Sequence, residues 1–81
     1  MADVRVTYDH ESNSAYIYLF DPKVRPKVAR MYPCDPVDVG GMINLDFDES
    51  GCLVGIEVLA ARSKLPRYLL DMAERPDVGN C

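Results

Sequence analysis

Three groups of residues in this 81-residue sequence are of the right types for chemistry. Asp9, His10 and Glu11 place two carboxylates around the single imidazole. They could act as acid, base or ligands, because histidine titrates near neutrality and a carboxylate can orient it. Asp46, Asp48, Ser50, Gly51, Leu53 and Glu57 fall at positions 1, 3, 5, 6, 8 and 12 of the calcium-loop template. In that template the glycine makes the bend and the last acid binds bidentately. Lys23, Arg25, Lys27 and Arg30 form a basic run uninterrupted by acid, which could meet phosphate.

Each group also has a plainer explanation. A lone histidine in a polar turn is usually just exposed, and Asp9 is well placed to accept backbone N–H bonds from the residues after it. The calcium template needs a helix on each side, whereas Ile43 to Phe47 and Val54 to Val58 alternate as strands, so a solvated acidic hairpin turn is expected. Basic residues on an edge strand resist unwanted pairing. There is no G-x-S-x-G elbow, no phosphate loop and no second histidine for a metal triad. Cys34, Cys52 and Cys81 are odd in number and lack a C-x-x-C pair, so reduced thiols are expected, with no metal and no cofactor.

Thirteen acidic residues against nine basic ones give a net charge of -4 and a pI near 4.7. Such a field repels nucleic acid and anionic membranes. No window reaches the ~18 apolar residues of a membrane span, and the longest, Gly51 to Ala61, contains Glu57. The N-terminal residues Met1 to Val6 lack a basic stretch leading into an apolar one, so a cytoplasmic location is expected. At 9.1 kDa a folded chain exposes ~4,900 Å² and buries roughly 63% of its surface, which suits one thin core. The expectation is one α+β domain over residues 1–75, with 76–81 a frayed tail.

The elements that would position these residues follow from periodicity. Val4, Val6 and Tyr8 alternate with polar residues, and Ala15, Ile17 and Leu19 alternate with Tyr16, Tyr18 and Phe20, so the two segments read as a hairpin across Asp9 to Ser14. Pro26 limits Lys27 to Tyr32 to an edge strand, and the proline- and glycine-bearing stretch Tyr32 to Gly41 reads as a loop. Asp48-Glu49-Ser50-Gly51 suits a type I turn closed by a left-handed glycine, joining Ile43–Phe47 to Val54–Val58. Beyond Leu59 the period becomes 3.6. Leu65, Tyr68, Leu69, Met72 and Ala73 form one stripe, with Ser63 as cap, Pro66 in the first turn and Pro76 as stop. The fold class expected is α+β: an antiparallel sheet of four or five strands with one C-terminal helix packed on its aliphatic face. Leu69→Asp is the substitution expected to disrupt that packing.

Two stretches carry a resemblance. Tyr8-Asp9-His10-Glu11-Ser12-Asn13-Ser14-Ala15-Tyr16-Ile17 resembles the Y-D-x-E-x-D-A-x-Y-I opening of the YuzE-like family, small bacterial proteins of unknown function. Asp46 to Leu59, with Ser63, Leu65 and Pro66 beyond it, is similar to that family's D-x-D-x-x-G-x-L-V-G-I-E-x-L close. This chain has Asn13 and Ser14 where the family has Asp and Ala, and a longer middle between Tyr32 and Gly41. The resemblance implies a small antiparallel sheet with a C-terminal helix and no established activity. It also carries an association of some relatives with toxin–antitoxin pairs.

On the sheet face opposite the aliphatic one, Arg5, Thr7, Tyr16, Tyr18, Asn44, Asp46 and Glu57 come together. Tyrosine and arginine bury much area while keeping hydrogen-bonding ends, as interface cores require. The functional expectation is therefore a non-catalytic interaction module, a homo-oligomer or the partner of a small protein, using Arg5, Tyr16, Tyr18, Asn44 and Glu57. The alternative is a small ligand- or metal-binding or hydrolytic protein that uses Asp9, His10, Glu11 and Asp46.

Overall fold

A computed structural model describes residues 4–21 and 23–75. Five strands and three short helices follow one another along the chain. They are β1 (Arg5–Asp9), β2 (Ser14–Tyr18), β3 (Arg30–Pro33), α1 (Pro36–Val39), β4 (Ile43–Phe47), β5 (Leu53–Leu59), α2 (Ala61–Lys64) and α3 (Arg67–Met72).

The two turns form where local hydrogen bonding favours them. After β1, the Asp9 carboxylate accepts from the backbone N–H of Glu11 at 3.0 Å and of Ser12 at 3.5 Å. Asn13 then takes φ 54°, a left-handed position that asparagine tolerates better than most residues. Between β4 and β5, Asp48 Oδ1 accepts from Ser50 N and Cys52 N, and Gly51 closes the turn at φ 85°. That carboxylate is occupied by its own backbone, as the hairpin reading requires. Among the described residues no group of three His, Cys, Asp or Glu could hold a metal ion.

All pairings between strands are antiparallel, and the spatial order is β1-β2-β5-β4-β3. The chain leaves β2 for the far edge, returns through β4, and inserts β5 in the centre. Alternation fixes which face each side chain takes but not this order. The register stacks residues into rows. Val6, Ile17, Ile56, Leu45 and Tyr32 line up across one face, followed by Tyr8, Ala15, Val58 and Ile43. On the other face the rows are Arg5, Tyr18, Gly55, Asp46 and Met31, then Thr7, Tyr16, Glu57, Asn44 and Pro33.

The core lies on the first face. Val6, Tyr8, Ala15, Val58, Ala61, Leu70 and Ala73 form the buried cluster, with Ile17, Ile43, Ile56 and Leu65 packed against it. Two short helices, α2 and α3, stand in place of the single C-terminal helix expected from the 3.6-residue stripe. The cause is Pro66: it forces Leu65 into extended geometry at φ -105° and ψ 148°, so helical phase is lost and restarts at Arg67. The stripe therefore holds at Leu65 and Ala73 and loses phase between them. Tyr68 is 72% exposed and Met72 51% exposed, while Leu70, at 6%, takes the inward place that the pattern gave to Leu69. Ser63 caps nothing and instead donates its hydroxyl to Ala60 O within α2.

The edge strand is Arg30–Pro33 rather than Lys27–Tyr32, and the basic residues Lys23, Arg25 and Lys27 lie outside strands, so they share no strand face. The loop expected between Tyr32 and Gly41 holds α1, capped by the Asp35 carboxylate and ended by Gly40 at φ 67°. Lys64 Nζ donates to Val39 O at 2.8 Å and ties that loop to α2. Pro76 and the expected tail, Cys81 included, lie outside the described residues. No described helix is long and apolar enough to cross a membrane.

Candidate functional site

The central strands carry the densest arrangement of polar and aromatic side chains. From β2, the Tyr16 phenol reaches diagonally over Gly55 of β5 and donates to Asp46 Oδ2 of β4 at 2.5 Å. Three strands are thereby tied by one side chain, and Gly55 makes it possible: a Cβ there would collide with the phenol ring and hydroxyl. A glycine inside a strand otherwise weakens it, and an aromatic ring laid over the bare backbone restores the lost cover. Gly55 is accordingly buried even though it lies on the open face.

One residue along the same face, Asn44 Nδ2 donates to Glu57 Oε1 at 3.0 Å. Toward the β1 edge, the Tyr16 and Tyr18 rings pack at a tilt of 56° with centroids 4.7 Å apart, and Phe20 meets Tyr18 edge-on at 5.7 Å. The Arg5 guanidinium lies 4.7 Å from the Tyr18 ring centre while bonding Glu74 Oε2 at 2.9 Å. The result is a platform of rings on which Tyr16 is tied to Asp46, Asn44 to Glu57 and Arg5 to Glu74. Such mutual pairing holds the rotamers and leaves the ring surfaces to be covered.

Burial, and after it the hydrogen bond and the negative charge at Asp46, hold the Tyr16 phenol above its ordinary value of 10.0. The unfolded chain therefore gives up this proton first. Stability from the linkage is fully present below pH ~10 and is lost as pH rises from there through the folded-state value. In an alkaline absorbance titration the native protein should show a late-ionising tyrosine that is missing in Tyr16→Phe. A Tyr16→Phe titration curve that superimposes on the wild-type curve would contradict this placement.

Of the residues singled out in the sequence, Arg5, Tyr16, Tyr18, Asn44, Glu57 and Asp46 share this face. The triplet Asp9, His10 and Glu11 does not join them. Asp9 lies four residues up β1 from the Arg5 row, about 13 Å away along the strand, and its carboxylate serves the turn. His10 packs near Tyr8, with ring centroids 6.4 Å apart, on the helix-bearing side. Asp46 and the turn carboxylates Asp9 and Glu11 are thus on different parts of the molecule. Gly55 is the residue that the sequence reading passed over. Its signal was present, since a lone glycine inside an alternating strand marks a close approach.

A family model described as a protein of unknown function, DUF2283, matches residues 5–62. The chain belongs to that family. The DUF2283 segment takes in the whole sheet and the start of α2, so Tyr16, Tyr18, Gly55, Asp46, Asn44 and Glu57 all fall within it. Helix α3 and Glu74 lie beyond it. No curated protein and no solved structure matches the chain.

Proposed function

We propose that this domain is a non-catalytic self-association module whose tyrosine-bearing face meets the same face of a second copy. One observation carries the reading: around the tyrosines the cation and the strand carboxylates come from opposite sides, with Arg5 on β1, where its own Glu74 bonds it, Asp46 on β4 and Glu57 on β5. A two-fold axis lying along the strands between β2 and β5 sets β1 of one copy against β4 of the other. Arg5 then faces a second copy's Asp46, at both ends of the interface, and the paired tyrosines meet in the middle. An isologous contact needs this self-complementarity.

The platform measures about 24 by 17 Å, from strand spacing and rise. That is a small interface, at the weak and transient end of the size range. The competing occupant is a small unrelated protein. We also read the chain as YuzE-like within its family, on the Tyr8–Ile17 and Asp46–Leu59 motifs, and as cytoplasmic, in keeping with unpaired Cys34 and Cys52. A toxin–antitoxin type partner would enter through the same face.

The test is sedimentation velocity at about 100 µM, a concentration well above a micromolar dissociation constant. Wild type should sediment as a dimer and Tyr18→Ala as a monomer with an unchanged circular dichroism spectrum, because the ring at the centre of the contact is removed. Arg5→Glu should also dissociate it. A wild-type protein that stays monomeric at this concentration overturns self-association.

A further inference from the structure

The geometry points to a second site on the helix-bearing face: a cleft that binds a small organic phosphate of nucleotide size. Its volume is about 460 Å³. That lies within the range of small-molecule sites and exceeds what an inorganic anion fills. Three guanidinium groups line it, from Arg62 on α2, Arg67 on α3 and Arg75 in the segment after α3. Against them stands one carboxylate, Asp71, so the lining carries a net positive charge of about two in a chain whose total is -4. A phosphate monoester near neutrality carries about the opposite charge. Arginine, rather than lysine, supplies the planar fork that grips phosphate oxygens two at a time.

The backbone at Arg62 is fixed by its N–H bond to Asn13 Oδ1 at 3.0 Å, Arg67 Nε makes an exposed pair with Asp71 Oδ1 at 3.1 Å, and the Arg75 guanidinium lies over the Tyr8 ring, 5.2 Å from its centre. The strand-like pairing of Glu74 with β1, through Tyr8 N to Glu74 O and Glu74 N to Val6 O, anchors the segment bearing Arg75. Stacking uses the face of a guanidinium and leaves its edge donors for a ligand. Between the arginines the floor is apolar, made by Leu65, Leu70 and the Tyr8 ring, and His10 adds a second ring at the rim.

That combination selects an anion with a flat organic body. A polynucleotide fits worse, because the remainder of this acidic chain repels a long polyanion. Much of the cleft lies outside the matched segment, since Arg67, Leu70, Asp71 and Arg75 are past residue 62.

Isothermal titration calorimetry with adenosine 5′-monophosphate tests it, with adenosine, inorganic phosphate and a ten-residue oligoadenylate as comparisons. The nucleotide should bind, adenosine should not, and phosphate should bind at least about tenfold more weakly for want of the apolar contacts. Arg62→Ala and Arg67→Ala, both exposed positions, should each weaken nucleotide binding about tenfold or more while melting as wild type does. Undetectable nucleotide binding at millimolar concentration overturns the site. So do undiminished binding in both arginine variants, phosphate binding as tightly as the nucleotide, and oligoadenylate binding in place of the monomer.

Discussion

Gly55→Ala is expected to destabilise the domain by about 3 kcal/mol, a large effect for a single methyl group. The new Cβ would occupy the space now filled by the Tyr16 phenol, which has to leave. Three costs then combine. Overpacking a filled position costs about 1–3 kcal/mol. The charge-assisted bond from Tyr16 to Asp46 is lost, and with it the tie across β2, β5 and β4. The displaced ring also loses its packed position against Tyr18. In a domain of this size about 3 kcal/mol corresponds to a fall in Tm of about 12–24 °C, readily measured by calorimetry. A double-mutant cycle with Tyr16→Ala isolates the cause. Without the phenol, the three atoms nearest the added methyl group are gone, so Gly55→Ala in the Tyr16→Ala background should cost under about 1 kcal/mol. Equal costs in the two backgrounds would place the strain in the backbone and not in the ring.

This glycine shows where the sequence was legible and where it was not. Alternation assigned Tyr16, Asp46 and Glu57 to one face, and Val6, Ile17 and Val58 to the other, because a strand's side-chain period leaves no choice once one face is buried. The turns were equally readable, since Asp9 and Asp48 bond their own following N–H groups and need no distant partner. What alternation lacks is strand order. Tyr16 can reach Asp46 only because β5, and not β3, lies between their strands, with a glycine at the crossing point. The helical stripe failed for a related reason: a period was carried across Pro66, where the backbone cannot carry it.

The same limit separates the two candidate sites. The tyrosine face draws its residues from strands whose pattern announces them. The arginine cleft joins Tyr8 and His10 to residues more than fifty positions later, and its closing pieces are set by the break at Pro66 and by the pairing of Glu74 beside β1. No local motif encodes that convergence, and the chain's acidic total conceals it. A net charge describes the far field, whereas a ligand meets the few groups within a Debye length of about 8–10 Å. Overall acidity is therefore an argument against a polyanion and none against a single phosphate in a basic recess.

Asn13 offers the second large effect, and a series of substitutions separates its several roles. Its Oδ1 accepts from the Tyr8 hydroxyl at 2.9 Å and from the Arg62 N–H at 3.0 Å, while its own carbonyl accepts from Ala61 N at 2.9 Å. One residue thus fastens the β1–β2 turn to the start of α2 and satisfies the phenol end of Tyr8, a core residue only 3% exposed. It does so at φ 54°, where a branched or bulky residue is strained. Asn13→Ala removes both side-chain bonds and the tolerance for that backbone angle, so it should cost about 3 kcal/mol. Asn13→Gly keeps the angle and loses the bonds, and should cost about 1–2 kcal/mol. Asn13→Asp retains an acceptor at the same reach, and aspartate is the residue that the resembling motif carries at this place; its cost should fall under about 1 kcal/mol at neutral pH. Thermal melts of the three variants give the order directly. If alanine and aspartate destabilise equally, neither the acceptor nor the left-handed angle accounts for the position, because aspartate keeps both. If glycine matches wild type, the two hydrogen bonds contribute nothing, and α2 must be held by the burial of Ala61.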